Sequence, residues 1–167
     1  EYRQDITYIF SRDILRYKRA KAEDAIYLMK GEIYKDDNLS IIAFGSTDIG
    51  ISFLIEAEGK RIFHAGDLNN WHWKDESTPE EAATAERDYL KELELLAKAT
   101  DHVDLAMFPI DSRLGTDYMR GAEQFINRIK TGTFAPMHFG EAYKKANAFK
   151  KYAEERGVRF MEITQKG

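Results

Sequence analysis

The sequence predicts a single α/β domain spanning residues 1–167, with mixed, mostly antiparallel sheets and flanking helices. Two observations predict this class. The first third consists of short β-branched and aromatic runs separated by turn signals, a pattern typical of antiparallel strands. The remainder alternates between helical periodicity and buried strands, which is typical of αβ units. The hydrophobic content of 43% and the charged content of 32% are typical of a chain that folds around a buried core.

The strands of the first third are recognised by apolar runs that lie between turn-forming residues. Runs at 51–57 and 61–65 flank Glu58-Gly59-Lys60 and predict a hairpin. Ser11 is placed to cap a helix predicted over 12–19. The other strands of this region are predicted at 6–10, 25–29, 32–34 and 39–44.

Three helices are predicted in the rest of the chain. Ser77-Thr78-Pro79 precedes a stretch whose apolar residues recur at three- and four-residue steps, so an amphipathic helix is predicted that ends near Thr100. Two further helices are predicted at 117–130 and 141–156. Buried strands are predicted between and after these helices, at 103–110, 133–137 and 158–163.

The composition excludes several classes of function. The chain has no cysteine, which rules out disulfides, thiolate metal ligands and a cysteine nucleophile. A net charge of −4, without a local excess of lysine and arginine, argues against a nucleic-acid partner. No apolar run approaches the ~20 residues that span a bilayer, so no membrane partner is expected. A cytoplasmic location is the expectation that fits these features.

Polar side chains follow two of the predicted strands, at the point where each strand ends. Asp67 follows Gly66 at the end of the hairpin, and His138 follows the strand at 133–137. Because α/β proteins build sites where strand ends converge, we expect Asp67 and His138 to lie close together. A carboxylate and a neutral imidazole suit zinc, manganese or iron. Taken singly, each residue is better explained without a metal, with Asp67 as a turn or cap residue, and only the pairing of the two favours a metal site.

Further candidates lie in the loops near these residues. His72 is a candidate contact to substrate or to a metal ligand. It stands between Trp71 and Trp73, which either shape a substrate pocket or cover an edge of the core. Asp111 follows a buried strand and either lies near the same edge, as a contact to substrate or to a ligand, or belongs to a solvated turn. The two other histidines are expected to have structural roles. His64 is expected in the core, and His102 either interacts with the C-terminal end of a helix or lies at the surface.

At these residues the chain resembles the metallo-β-lactamase-fold superfamily of metal-dependent hydrolases. The matching segments are SFLIE at 52–56 with Gly59-Lys60, IFHAGD at 62–67, and PMHF at 136–139. The resemblance covers about residues 39–139 and implies a partial four-layer αββα sandwich. It also implies that Asp67 bridges two metal ions and that His138 binds the second of them.

The chain departs from this superfamily at two places. The His-x-His-x-Asp-His loop is absent and belongs upstream of a segment such as 6–10, so the chain is expected to be the C-terminal two-thirds of the domain. Asp48 lies in the loop where the superfamily usually carries a histidine ligand, and it is expected either to replace that ligand or to hold a neighbouring one. The exposed first sheet is expected to pack against the missing N-terminal segment or a second copy in a homo-oligomer.

The function implied by the resemblance is hydrolysis by a metal-activated water. One or two divalent metal ions are expected, with zinc first and iron or manganese as alternatives, acting on a small-molecule ester, amide or phosphoester. No side chain is assigned as the catalytic group, because the activated water takes that role. The alternative is a non-catalytic binding or scaffold domain, or an inactive fragment of such a hydrolase. In that case Asp67 is a turn residue and the aromatic loop is a contact surface.

Overall fold

The computed structural model describes residues 5–16 and 25–164. The first described strand, β1 (Ile9–Ser11), pairs in parallel with β2 (Ile26–Leu28) to form a two-stranded sheet. A short 3-10 helix, Arg12–Arg16, follows β1. The helix predicted over 12–19 is therefore found as a single tight segment up to Arg16, and its last residues lie outside the described part of the chain.

A seven-stranded mixed sheet forms the centre of the fold, and its spatial order follows the chain. Strands β3 to β6 run antiparallel to their neighbours, whereas β6 to β9 run parallel. The antiparallel strands predicted from residue 32 onwards and the αβ units thus share one sheet, whereas the strands predicted at 6–10 and 25–29 pair in parallel in the small sheet. The strands are Ile33–Lys35 (β3), Leu39–Phe44 (β4), Ser52–Ala57 (β5), Lys60–His64 (β6), His102–Pro109 (β7), Lys130–Met137 (β8) and Arg159–Phe160 (β9).

Helices connect the parallel strands. The helix α1 (Pro79–Ala99) begins with a capping box in which Thr78 and Glu81 satisfy each other's backbone N–H groups. The helix α2 (Arg120–Arg128) lies between β7 and β8. Two short helices, α3 (Tyr143–Asn147) and α4 (Lys150–Glu154), connect β8 to β9.

The single helix predicted over 141–156 is wrong, because the chain tightens into a turn between α3 and α4. The N–H of Phe149 donates to the carbonyl of Ala146 at 3.3 Å, a three-residue step in place of the four-residue step of an α-helix. Phe149 is fully buried, and its ring centroid lies 4.8 Å from that of Phe134. Core packing at Phe149 therefore accompanies the break in a segment whose helical periodicity is otherwise continuous.

The boundary between α2 and β8 also differs from the prediction. Strand β8 begins at Lys130, three residues before the predicted start, and α2 ends at Arg128. At Gly132, an added Cβ would lie 2.8 Å from the carbonyl oxygen of Asp104 on β7. The glycine permits this close backbone approach within the sheet, whereas the sequence suggested a break at this position.

The large sheet is covered on both faces. Its helical face packs against α1 to α4 in the main core, where Phe63, Phe108 and Phe125 are fully buried. Its other face packs against the small sheet around Leu28 and Ile41. The predicted α/β class, with a mixed sheet and flanking helices, is confirmed. Of the four layers expected, residues 5–16 and 25–164 supply three: a small sheet, a large sheet and helices. No helix in these ranges has both the length and the apolar composition needed to cross a bilayer.

Candidate metal centre

Three neighbouring parallel strands, β6, β7 and β8, end at the same edge of the large sheet. Asp67 comes three residues after the end of β6, Asp111 two residues after the end of β7, and His138 directly after β8. Because parallel strands end together, side chains that are distant in the chain meet at this edge. The structure brings all three side chains together there.

The backbone around Asp67 is held in a tight turn. Gly66 adopts a positive φ of 56°, and the N–H of Leu68 donates to the carbonyl of Ala65 at 2.9 Å. The carbonyl oxygen of Asp67 itself accepts a hydrogen bond of 2.7 Å from the indole N–H of Trp71. The side chain of Asp67 is 40% exposed. The turn thus fixes the main chain while the carboxylate faces outward.

His138 lies between two carboxylates. Its Nδ1 atom is 2.9 Å from Oδ2 of Asp111, and its Nε2 atom is 3.5 Å from Oδ1 of Asp67. The backbone at His138 has a φ of 64°, which is uncommon for a residue other than glycine. Such conformations concentrate at functional sites, where the surrounding structure holds them in place.

Asp111 fixes the orientation of His138 from within the protein. Its carboxylate is only 3% exposed, and burial alone raises its pKa. Hydrogen bonds from the side chain and backbone of Arg113, and from His138, outweigh that effect and hold the pKa of Asp111 below its ordinary value. An ionised carboxylate only accepts hydrogen bonds, so Nδ1 of His138 carries the proton. The Nε2 atom of a neutral His138 therefore presents its lone pair towards Asp67.

The spacing of Asp67 and His138 fits two ligands of one cation. Zinc–nitrogen and zinc–oxygen bonds of about 2.1 Å at a tetrahedral angle place the two donor atoms about 3.4 Å apart. The observed separation is 3.5 Å, which is longer than an ordinary N–H···O hydrogen bond. Metal-binding histidines commonly donate their second ring N–H to a carboxylate, as His138 does to Asp111.

The donor set at this edge contains two residues rather than three. Across the part of the chain that the structure describes, no group of three or more histidine, aspartate or glutamate side chains is arranged to hold a metal ion. Asp48 therefore does not complete such a group with Asp67 and His138. Asp48 is exposed and lines a separate cavity of 390 Å³ together with Trp71.

The aromatic loop forms one side of the site. The ring centroid of Trp71 lies 5.3 Å from that of His138, and Trp73 stacks on Trp71 at 6.4 Å. His72 is buried instead of facing a cleft, and its Nδ1 atom is 2.9 Å from the carbonyl oxygen of Asn70. Trp71 therefore lies beside His138 and Trp73 is stacked on Trp71, so the aromatic pair adjoins His138 and not a cleft that contains His72.

Two buried asparagines hold the aromatic loop in place, and no pattern in the sequence marks either of them. The N–H of Asn69 donates to Oγ1 of Thr47 at 3.1 Å, which ties this loop to the one that carries Asp48. The side-chain amide of Asn70 donates to Gln124 on α2 at 3.0 Å. Both residues are fully buried, which only the fold shows.

The remaining histidines have structural environments. Gly66 donates its N–H to Nδ1 of His64 at 3.0 Å, and partial burial lowers the pKa of His64. His64 is thus half-buried on β6 and supports the turn before Asp67. His102 lies at the surface, as expected, with its Nδ1 atom 2.8 Å from the carboxylate of Asp101.

An open cleft of 550 Å³ adjoins His138. It is lined by Arg113, Glu141 and the turn at Phe139-Gly140, as well as by Asp111 and His138. Arg113 was not predicted, because an arginine two residues after a strand-end aspartate carries no pattern of its own. A substrate in this cleft would lie directly beside the imidazole ring.

The chain is similar in fold to a structure from Parabacteroides distasonis ATCC 8503 that is provisionally named a metal-dependent hydrolase. The two share 16% sequence identity with a TM-score of 0.63, over 97% of this chain and 67% of the other. This similarity shows a shared fold. No protein-family profile matches the chain.

Two further solved structures are more distantly similar. One, from Thermotoga maritima, is provisionally named a Zn-dependent hydrolase of the metallo-β-lactamase superfamily, with 18% identity and a TM-score of 0.44 over 72% of this chain. The other is a protein of unknown function from Enterococcus faecalis V583, with 10% identity and a TM-score of 0.39 over 98% of this chain. The chain spans 55% and 47% of these two proteins.

Proposed function

We propose that this chain belongs to a metal-dependent hydrolase in which Asp67 and His138 bind a divalent cation, zinc in the first instance and iron or manganese as alternatives. The observation that carries the proposal is the 3.5 Å approach of Oδ1 of Asp67 to Nε2 of His138. Two donors of the right chemistry face one another at the separation that a shared cation requires. The substrate is a small-molecule ester, amide or phosphoester.

The roles of the two ligands follow from their surroundings. Asp67 supplies a charged oxygen on a rigid turn, and His138 supplies a neutral nitrogen whose ring is oriented by the buried carboxylate of Asp111. Trp71 excludes water from one side of the imidazole, while the cleft leaves another side open to substrate. Bound there, a divalent cation would supply hydroxide at neutral pH and polarise the scissile oxygen. Two protein ligands leave further coordination positions for water, substrate or additional ligands.

Metal analysis of the purified protein tests the proposal. We expect a stoichiometric amount of zinc, iron or manganese by elemental analysis, together with thermal stabilisation when metal is returned to chelator-treated protein. A cation present at about 100 times its dissociation constant stabilises the folded state by about 2.7 kcal/mol. A protein that takes up none of the three metals, and that none of them stabilises, would instead support a scaffold domain.

Replacing Asp111 with asparagine is expected to weaken metal binding by about 10- to 100-fold, because the amide no longer holds His138 as firmly as an ionised carboxylate does. The measurement is zinc titration of chelator-treated protein by calorimetry. The matched control is Asp104→Asn, which alters a carboxylate at the opposite end of the same strand, where it pairs with Lys60. Equal zinc affinity in both variants would contradict this role for Asp111.

A further inference from the structure

The cleft beside His138 contains a guanidinium group that the metal proposal does not use. Arg113 belongs to the short 3-10 helix Ser112–Leu114, which begins directly after Asp111. Its side chain is 67% exposed and lines the same 550 Å³ cleft as His138. A substrate whose reacting group lies at His138 would therefore have Arg113 within the same cleft.

One edge of the Arg113 guanidinium is occupied and the other is open. The Nε atom lies 3.0 Å from Oδ1 of Asp111, and the Nη2 atom lies 2.5 Å from Oδ2. A guanidinium group has five N–H donors, and this fork uses Nε–H and one N–H of Nη2. The two N–H groups of Nη1 and the second of Nη2 have no protein acceptor among the described residues. One N–H of Nη1 and the second N–H of Nη2 are parallel and form a second edge, which can bind an anionic oxygen pair bidentately.

The guanidinium is held before any ligand arrives. Asp111 is almost fully buried and also binds His138, so its carboxylate is a fixed anchor for the guanidinium plane. Because the long side chain is already ordered, less conformational entropy is lost when a ligand binds. The positions of Arg113 and His138 are consequently linked through one shared carboxylate.

The open edge of the Arg113 guanidinium, rather than the net charge of the cleft, favours an anion at this position. Asp111 is already neutralised by its pairing with Arg113, and the other acidic side chain in the lining is Glu141. We propose that Arg113 binds an anionic oxygen group of the substrate, a phosphate or a carboxylate. This inference rests on the proposed function for the reaction at His138, but the anion site itself needs no metal.

The test uses chelator-treated protein, inorganic phosphate and acetate as probes, and amide shifts in two-dimensional NMR as the readout. Phosphate, acetate or both are expected to shift the amides of Arg113 and Gly140 in a saturable way. The probe that binds identifies the class of anion. Arg113→Gln is expected to weaken this binding by about tenfold or more, since a charge-assisted bidentate contact is lost. Glu141→Gln is expected to tighten it by about twofold.

The matched control is Arg128→Gln, because Arg128 is also an exposed arginine that forms a fork with a carboxylate, Glu94, but lies outside the cleft. It should leave anion binding unchanged. If Arg113→Gln does not fold, Arg113→Lys keeps a charge beside Asp111 but removes the open edge, and several-fold weaker binding is expected. The proposal is overturned if neither probe binds, or if variants at Arg113 bind as tightly as the Arg128 control. Failure of metal binding leaves this measurement intact, so the two proposals can fail separately.

Discussion

Replacing Asp67 with alanine is expected to abolish stoichiometric metal binding and to leave the fold intact. Changing a residue that only orients a metal ligand lowers metal affinity by up to about 100-fold. The loss of affinity in Asp67→Ala should be larger, because the substitution removes a charged ligand itself. The side chain is partly exposed, and the backbone carbonyl that binds Trp71 is retained in alanine. The free energy of unfolding of metal-free protein should therefore change by no more than about 0.5 kcal/mol.

Elemental analysis after equilibrium dialysis against zinc measures the first effect, and urea unfolding in the presence of a chelator measures the second. Asp37→Ala is the control, because Asp37 is also an exposed aspartate in a turn but lies away from this edge of the sheet. A variant of Asp67 that retains the full metal content would remove Asp67 from the proposed centre. A non-catalytic scaffold domain would then be the better explanation of what the protein does.

Gly66→Ala is expected to lower the free energy of unfolding by about 2 to 4 kcal/mol, the largest effect on stability among the changes considered. Two costs combine at this position. The positive φ of 56° is unfavourable for any residue with a Cβ atom. An added Cβ would also lie 2.6 Å from the carbonyl oxygen of Ile51, which is backbone and cannot rotate away.

Gly59→Ala separates these two costs. Gly59 in the hairpin also has a positive φ, of 71°, but a Cβ there would have nothing within 4 Å. Its substitution should cost about 1 to 2 kcal/mol, which is the conformational part alone. Urea unfolding of both variants gives the comparison. If the free energy of unfolding falls by the same amount in both variants, the contact with Ile51 contributes nothing to the cost. The turn before Asp67 is then less constrained than its geometry indicates.

The edge of the sheet that carries the candidate site could be predicted because it depends on chain pattern. A carboxylate directly after Gly66 and an imidazole directly after β8 mark the ends of two strands. Parallel strands bring such ends together whatever lies between them in the chain. The prediction that Asp67 and His138 lie close together needed only the strands and their ends. The candidate position of Asp111 near that edge followed from the same reasoning.

Features that depend on packing in three dimensions could not be predicted in this way. Arg113 is anchored on a carboxylate that is buried and shared with His138, an arrangement that no spacing in the sequence encodes. The burial of Asn69 is likewise set by the approach of α2. The break before α4 follows core packing at Phe149, where the amphipathic pattern alone favours an unbroken helix.

The position of Trp71 gives the protein an optical reporter of its own. The chain contains two tryptophans, and both stand at this edge, stacked on each other with one indole beside His138. All of the intrinsic tryptophan emission therefore originates within the site. The two stacked indoles also form a pair of chromophores whose fixed arrangement gives a near-ultraviolet circular dichroism signal. Arrival of an ion or a small molecule can thus be followed spectroscopically in the unlabelled wild-type chain.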